Sequence, residues 1–460
     1  MRPLRDTTHA LDAGLGEIRR QYSIPDAFPA AVDAAAATAS RREPTEHRDL
    51  TDWPFVTLDP ATSTDLDQAF HIERAGNDLL LHYAIADVAW FVADGDVVDQ
   101  EAWTRGLTLY LPDGRAPLYP PVLTEGAASL LPDGPRPAVV FHVRIGTEGV
   151  ATLDGATRAV VRSRAKLAYD SVTSADLPVE FDELSHRIEA AAATRGAGVV
   201  EPPEQVVVRD DGHYRLEFRP RLESESQNAA LSLSANLAIA SMMVTAGVGL
   251  FRVMSPPGEQ AIRRLRHTAH SLALHWPDDQ PLDAFVRGLD ANSPRHAAFM
   301  LAVRRAGGGA SYVAAAEGLV PWHAAMAAPY AHATAPLRRL ADRYTVMATL
   351  ALASGAEVDE ATRAALERLP AAMGHAEARA NQVDHAVLDL AEAVMLHGRE
   401  GDVFDAVVVD DDDETSRLHL PDVAVVVNVR MRHVQPGDAV KVRLVSADPS
   451  RREVRFERVA

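Results

Sequence analysis

The sequence predicts a multidomain α+β protein: a short helical segment over residues 1–47, a mixed α/β unit over 48–398, and a small β-barrel over 399–460. Three observations carry this. A chain of 460 residues exceeds what one ordinary core holds. Apolar, β-rich runs prevail to about residue 170 and then give way to long helical patterns. From Gly401 the pattern switches again, to short strands separated by turn residues.

In the first segment Leu11, Leu15 and Ile18 recur at helical spacing, Ile24-Pro25 punctuates the run, and a second short helix covers 30–37. A polar linker, Arg41-Arg42-Glu43-Pro44, follows. The segment is too small to hold its own core, so it is expected to dock as a packing arm rather than act as a helix-turn-helix unit. Residues 79–88 and 138–145 read as strands, with a Pro- and Gly-rich irregular stretch at 111–137 between them. Residues 180–398 read as mostly helical, notably 259–274 and 336–353, apart from a hairpin at 205–218 around Asp210-Asp211-Gly212. In the last segment strands are expected at 403–409, 423–429, 439–445 and 453–459. Gly437-Asp438 and Asp448-Pro449 mark turns, and the acidic run 410–414 is a solvated hairpin tip.

Composition narrows the function. The absence of cysteine excludes a disulfide partner and thiolate zinc sites. The uncharged run 227–251 contains Asn228, Ser232, Ser234, Asn236, Ser241 and Thr245, so it predicts a buried helix and no membrane partner. Residues 1–20 carry scattered charges and do not form a signal peptide. The net charge of −19 counts against a uniformly basic nucleic-acid binder, but net charge governs solubility and steering, not a local groove. Lysine occurs only at Lys166 and Lys441, so cationic contacts must come almost entirely from arginine, whose planar fork suits phosphate.

The chemistry concentrates in Asp59-Pro60-Ala61-Thr62-Ser63-Thr64-Asp65-Leu66-Asp67-Gln68. The preceding run 54–58 reads as a strand, and Asp59-Pro60 ends it, so three carboxylates sit on a strand-held loop. Carboxylates converge stably when a cation joins them, and an oxygen-only donor set suits Mg²⁺ or Mn²⁺. An acidic surface loop is the simpler reading of spacing alone. A calcium loop of the EF-hand type fails, because Thr64 stands where Gly is required and Phe70 where Glu is required.

Read together, several motifs resemble the ribonuclease II family of exoribonucleases. The acidic loop resembles its Asp-x5-Asp-x-Asp signature. Ile85-Ala86-Asp87-Val88, Leu109-Tyr110-Leu111-Pro112-Asp113 and Ser129-Leu130 follow in the family order. Residues 330–342, Tyr-Ala-His-Ala-Thr-Ala-Pro-Leu-Arg-Arg-Leu-Ala-Asp, are similar to the family's Tyr-x-His-Phe-Thr-Ser-Pro-Ile-Arg-Arg-Tyr-x-Asp. The matched stretch runs from about 48 to 398, and Val434-Gln435-Pro436-Gly437-Asp438 resembles the late turn of an S1 domain, an OB-fold.

This resemblance implies an RNB-like catalytic domain and an S1-like barrel, with the short helical segment standing where the family usually carries cold-shock barrels. It implies Mg²⁺-dependent (or Mn²⁺-dependent) hydrolysis of single-stranded RNA from a free 3′ end to 5′-mononucleotides, by a cytoplasmic monomer. Carried over, Asp59, Asp65 and Asp67 bind metal, Asp67 is also the catalytic carboxylate, and Arg338 stabilises charge on the phosphate. Tyr110 stacks on the terminal base, Tyr169 senses ribose, and Arg339 either accompanies Arg338 at the RNA or forms an ordinary i,i+3 pair with Asp342. Three positions depart from the family: Gln68 replaces a fourth Asp, Ala230 replaces a Glu, and Gly198-Val199-Val200 lacks the aromatic that closes the base clamp. The alternatives are a catalytically inactive RNA-binding protein and an S1-type accessory protein. Retention of Asp59, Asp65, Asp67 and Arg338 weighs against both.

Overall fold

At the centre is a five-stranded sheet in the order Arg48–Asp49, Ala151–Val161, Arg136–Ile145, Asp78–Ala86, Gln68–Ala75. The last four strands are mutually antiparallel, and Arg48–Asp49 runs parallel to its neighbour. The computed structural model describes residues 4–5, 10–198, 204–210, 213–219, 221–290, 293–411, 415–420 and 422–459. Three expectations fall partly outside that range: the hairpin tip at 211–212, the clamp gap at 199–200 and the acidic run at 412–414.

Asp78–Ala86 is buried almost throughout, as a central strand covered on both faces must be. Leu79, Leu81, Tyr83 and Ile85 join Val139, Phe141 and Val143 of its neighbour in one apolar cluster. The helix Glu223–Ala246 packs on this sheet. By length and composition that helix could cross a membrane, yet half of its most apolar window is buried inside the fold. It is the buried helix expected from its Ser and Asn content, with Asn228, Ser234 and Asn236 among its buried residues.

Two expected elements differ in detail. The stretch 111–137 is not wholly irregular: Leu109–Leu111 and Gly114–Ala116 form a tight hairpin, which its Asp113-Gly114 pair allows because Gly114 adopts φ +145°. The helix expected from Pro336 begins only at Leu340, because residues 335–339 are held in a loop by the site described below.

The C-terminal strands form a five-stranded antiparallel sheet in the order Val425–Val429, Ser416–Leu420, Val403–Asp411, Ala439–Asp448, Glu453–Arg458, barrel-like as an S1 or OB fold requires. Ser416–Leu420 has no counterpart among the expected strands, since a five-residue alternation beside an acidic turn gives little periodic signal. The apolar core does not stop at residue 398. Leu11, Leu15 and Ile18 of the first helix (Ala10–Gln21) share one cluster with Val383, Val387 and Leu390 of the 37-residue helix Glu360–Leu396 and with the barrel interior. The contact is close: a Cβ added at Gly14 would lie 2.5 Å from Leu390. The first helix thus packs against the long helix and the barrel.

Glu392 lies at this junction. It is buried, and it accepts hydrogen bonds from Gln205 Nε2 at 2.7 Å and from the Val426 N–H at 3.3 Å. Burial pushes its carboxyl up to about 7. A carboxyl whose folded pKa is raised binds its proton more tightly in the fold, so its contribution to stability falls as pH rises from the unfolded value through about 7. Glu392→Gln keeps an acceptor for Gln205 and removes the charge. The variant should be more stable than the parent by on the order of 2 kcal/mol near pH 8, and the gap should close towards pH 4. Urea unfolding at several pH values checks this; a gap that does not vary with pH would contradict it.

Candidate active site

The strand Thr57–Asp59 pairs in parallel with Lys166–Ala168, which places Asp59 at the strand end beside Tyr169. The loop that follows is tied down from three sides. Lys166 Nζ donates to the carbonyls of Ala61 and Ser63 at 2.7 and 2.5 Å. Ser129 Oγ accepts from the Leu66 N–H at 2.9 Å and donates to the Thr64 carbonyl at 2.7 Å. The Leu130 N–H donates to the Leu66 carbonyl at 3.0 Å. An acidic loop held this firmly is unlike a solvated surface turn.

Asp67 is 5% exposed. Its Oδ1 accepts from the Leu337 N–H at 2.7 Å and its Oδ2 from Arg338 Nε at 3.1 Å. Those donors are presented by the loop 333–339, itself pinned by buried groups: the Ala333 N–H donates to Asn236 Oδ1 at 3.0 Å, and the Ala335 N–H to Asp342 Oδ2 at 2.8 Å. Two motifs separated by some 270 residues meet at one carboxylate. Burial pushes Asp67 up to about 7, against the pull of Arg338 and the Leu337 N–H. Asp59 is likewise raised to about 7, by burial first and by the neighbouring Asp67 charge second.

Asp65 faces a different set of partners. Its Oδ2 accepts from the Tyr110 hydroxyl at 3.2 Å, and its Oδ1 from Arg115 Nη1 at 2.5 Å. Tyr110 itself is 51% exposed, so a ring face is open to solvent while its hydroxyl is anchored. The Tyr169 N–H donates to the Asp59 carbonyl at 3.2 Å, and Tyr169 Oη accepts from Asn228 Nδ2 at 2.8 Å. Burial, helped by the charge of Asp59, raises that hydroxyl to about 12, so it stays protonated and available as a donor.

The structure therefore brings together Asp59, Asp65, Asp67, Arg338, Tyr110 and Tyr169. Arg339 is committed elsewhere: its Nε and Nη2 hold both oxygens of Asp342 at 2.9 and 2.7 Å, the ordinary i,i+3 pairing. Gln68 turns away from Asp67, its Oε1 accepting from the Tyr83 hydroxyl at 2.5 Å and Ser232 Oγ at 3.3 Å. Ala230 is buried. Sequence reading missed Arg115, Ser129 as a loop anchor, and Asn228. Arg115 was within reach: Asp113-Gly114 is a strong hairpin signal that sets Arg115 directly across from Tyr110.

A hard divalent cation fits this donor set. The Oδ2 of Asp59 is buried without a hydrogen-bond partner, and the carboxyls of Asp59 and Asp67 repel each other. A cation between them relieves both conditions, and Mg²⁺ is commonly held by one or two carboxylates plus substrate phosphate oxygens. Among the described residues no group of three or more His, Asp or Glu side chains is arranged to hold an ion. The reason is visible: Asp65 is turned to Arg115 and Tyr110.

Residues 47–353 match the RNB domain, and residues 402–459 match the RNase II-type exonuclease C-terminal S1 domain. Ribonuclease R of Escherichia coli (strain K12) is 29% identical, over 70% of this chain and 43% of that protein. Ribonuclease R of Aquifex aeolicus is 25% identical, over 96% of this chain and 69% of that protein. This chain thus spans less than half of the first of these relatives. The structure of Mycoplasma genitalium RNase R in complex with ribose methylated single-stranded RNA superposes with a TM-score of 0.86 at 19% identity, covering 98% of this chain and 78% of that one. Yeast Ssd1, a pseudonuclease, gives 0.69 at 14% identity, covering 94% and 57%.

Proposed function

Since this chain belongs to the RNase II family, with an RNB domain followed by an RNase II-type S1 domain, we propose that it is an exoribonuclease that hydrolyses single-stranded RNA from a free 3′ end, using Mg²⁺ or Mn²⁺ and releasing 5′-mononucleotides. One observation carries the reading: a buried Asp67 held by the Leu337 N–H and Arg338, beside an Asp59 whose inner oxygen has no partner. A protein that only bound RNA would have no need of one buried and one half-buried carboxylate raised to about 7, which cost stability at neutral pH.

Asp59 and Asp67 would hold the ion, which when bound supplies positive charge against the scissile phosphate and the attacking oxygen. The protein's own groups do the rest. Asp67 orients the attack, because its carboxylate is fixed by two donors. Arg338 is half-exposed with its Nε on Asp67, which leaves the outer N–H groups free to meet a phosphate oxygen. The open ring of Tyr110 offers a stacking face to a terminal base, a contact indifferent to base identity. The Tyr169 hydroxyl, accepting from Asn228, keeps its own proton to donate to a sugar hydroxyl. The barrel would add sequence-independent affinity for single strands. We place the enzyme in the cytoplasm as a monomer.

The contrary reading, an inactive RNA-binding protein, is favoured by Gln68, whose amide faces Tyr83 and Ser232 and adds no charge to the site. Incubation of 5′-labelled RNA with purified protein and Mg²⁺ separates the two. The expected result is a ladder that shortens from the 3′ end, stops on addition of chelator, and spares circular RNA. Cleavage of circular RNA would sink the exonuclease reading, and absence of cleavage at every Mg²⁺ and Mn²⁺ concentration would establish the inactive one.

A further inference from the structure

Arg115 lies on the hairpin strand Gly114–Ala116, in register with Tyr110. Its Nη1 donates to Asp65 Oδ1 at 2.5 Å, and its Nη2 donates to Thr64 Oγ1 at 2.7 Å and stands 2.8 Å from Glu125 Oε1. The hairpin tip is itself anchored, since Arg19 of the first helix holds Asp113 through Nη2 at 2.9 Å and Nε at 3.1 Å. The guanidinium is therefore delivered to Asp65 by a braced element rather than by a loose surface side chain. Side-chain exposure is 22% at Arg115 and 10% at Asp65, so water screens the pair only partly. Arginine does not lose its proton in a protein, so this positive charge is permanent.

The three carboxylates of the loop are thus unequal. Both oxygens of Asp65 are engaged, by Arg115 and Tyr110. Asp59 Oδ2 has no partner. We propose that Arg115 is a resident counter-cation for Asp65, which keeps Asp65 out of the ion site and sets the affinity of the Asp59–Asp67 pair for a divalent cation. An ion reaching Asp65 must first displace the guanidinium, and the displaced charge would remain close by and repel it. Arg115 also couples ion affinity to the Tyr110 hairpin, since both residues hold the same carboxylate. Arg115 is a positioning residue in this scheme. The proposal rests on the ion site of the preceding subsection, and its test keeps the two apart.

The test is Mn²⁺ binding to the full chain without RNA, followed calorimetrically and by the loss of the free-ion resonance. Arg115→Met, which keeps the apolar stem, should tighten Mn²⁺ binding about 5-fold, the scale of one part-exposed ion pair. Asp65→Asn alone should weaken affinity, because it leaves the Arg115 charge uncompensated, but by less than Asp59→Asn does, whereas in the Arg115→Met background it should abolish the gain. Arg115→Gln serves as the second variant if Met does not fold. Unchanged or weaker binding in both Arg115 variants, or an Asp65→Asn loss as large as that of Asp59→Asn, overturns the proposal and leaves the ion site standing. No Mn²⁺ uptake by the unaltered chain overturns the ion site itself, and the proposal with it.

Discussion

Asp67→Asn should lower the rate of RNA hydrolysis by about 10²–10³-fold or more while leaving RNA affinity nearly unchanged. The side chain is 5% exposed, so it offers little surface for binding contacts. Asparagine can still accept from the Leu337 N–H, but it lacks the charge and would turn an amide N–H against Arg338 Nε if that oxygen is kept in place. The same substitution should not destabilise the chain without metal. Burial has raised the Asp67 carboxyl to about 7, so the fold disfavours its ionised form, and that penalty is present above about pH 7 and relieved as pH falls towards the unfolded value. Near pH 8 the variant should therefore melt at or above the parent temperature. A cleavage assay paired with thermal melts tests both halves. Undiminished cleavage would remove Asp67 from the chemistry, and a large loss of melting temperature would make its role structural.

The largest expected effect on stability belongs to Asp99→Ala, at roughly 3–5 kcal/mol. Asp99 and Arg343 form an ion pair whose side chains are 4% and 1% exposed. Arg343 Nη2 also donates to the Tyr344 hydroxyl at 2.6 Å, which accepts from Trp103 Nε1 at 2.8 Å, while Asp99 Oδ2 accepts from the Gly95 N–H at 2.8 Å. The network joins the helix Val97–Arg105 to the helix Leu340–Ala353, directly after the loop that presents Arg338. Removing Asp99 strands a buried guanidinium whose Nε and Nη1 already lack partners. Removing both charges, as Asp99→Leu with Arg343→Met, should cost much less, because no buried charge is left unpaired. Urea unfolding of the single and double variants measures the difference. Equal losses would mean that packing volume, not charge, is what the pair provides.

Much of the site was legible before folding because its ligands come in short motifs whose spacing is itself the geometry. A strand ended by Asp59-Pro60 puts Asp59 on a loop with Asp65 and Asp67 wherever the strand lies. The Tyr330–Asp342 motif was equally plain, since its own backbone N–H at Ala335 bonds its own Asp342. Gln68 and Arg339 were harder. Each neighbours a site residue, and which way a neighbour points depends on the pleat of the strand and on where a helix starts. Gln68 opens a strand, so its side chain goes to the opposite face from Asp67 and meets Tyr83 and Ser232. Arg339 caps a helix that begins later than periodicity suggested, and it folds back onto Asp342.

The sequence by itself determined the α+β class, the central strands, the buried helix Glu223–Ala246, most of the barrel, and the identity of the carboxylates and arginine that meet at Asp67. These follow from hydrophobic period, turn residues and motif order, which are local properties of the chain. Only the tertiary structure decided how the charges are shared out. Arg338 goes to Asp67, Arg115 to Asp65, and one oxygen of Asp59 is left without a partner. The physical reason is distance. Electrostatic pairing depends on separations of a few ångströms between groups some 50 to 271 residues apart in the chain, and no local pattern records them.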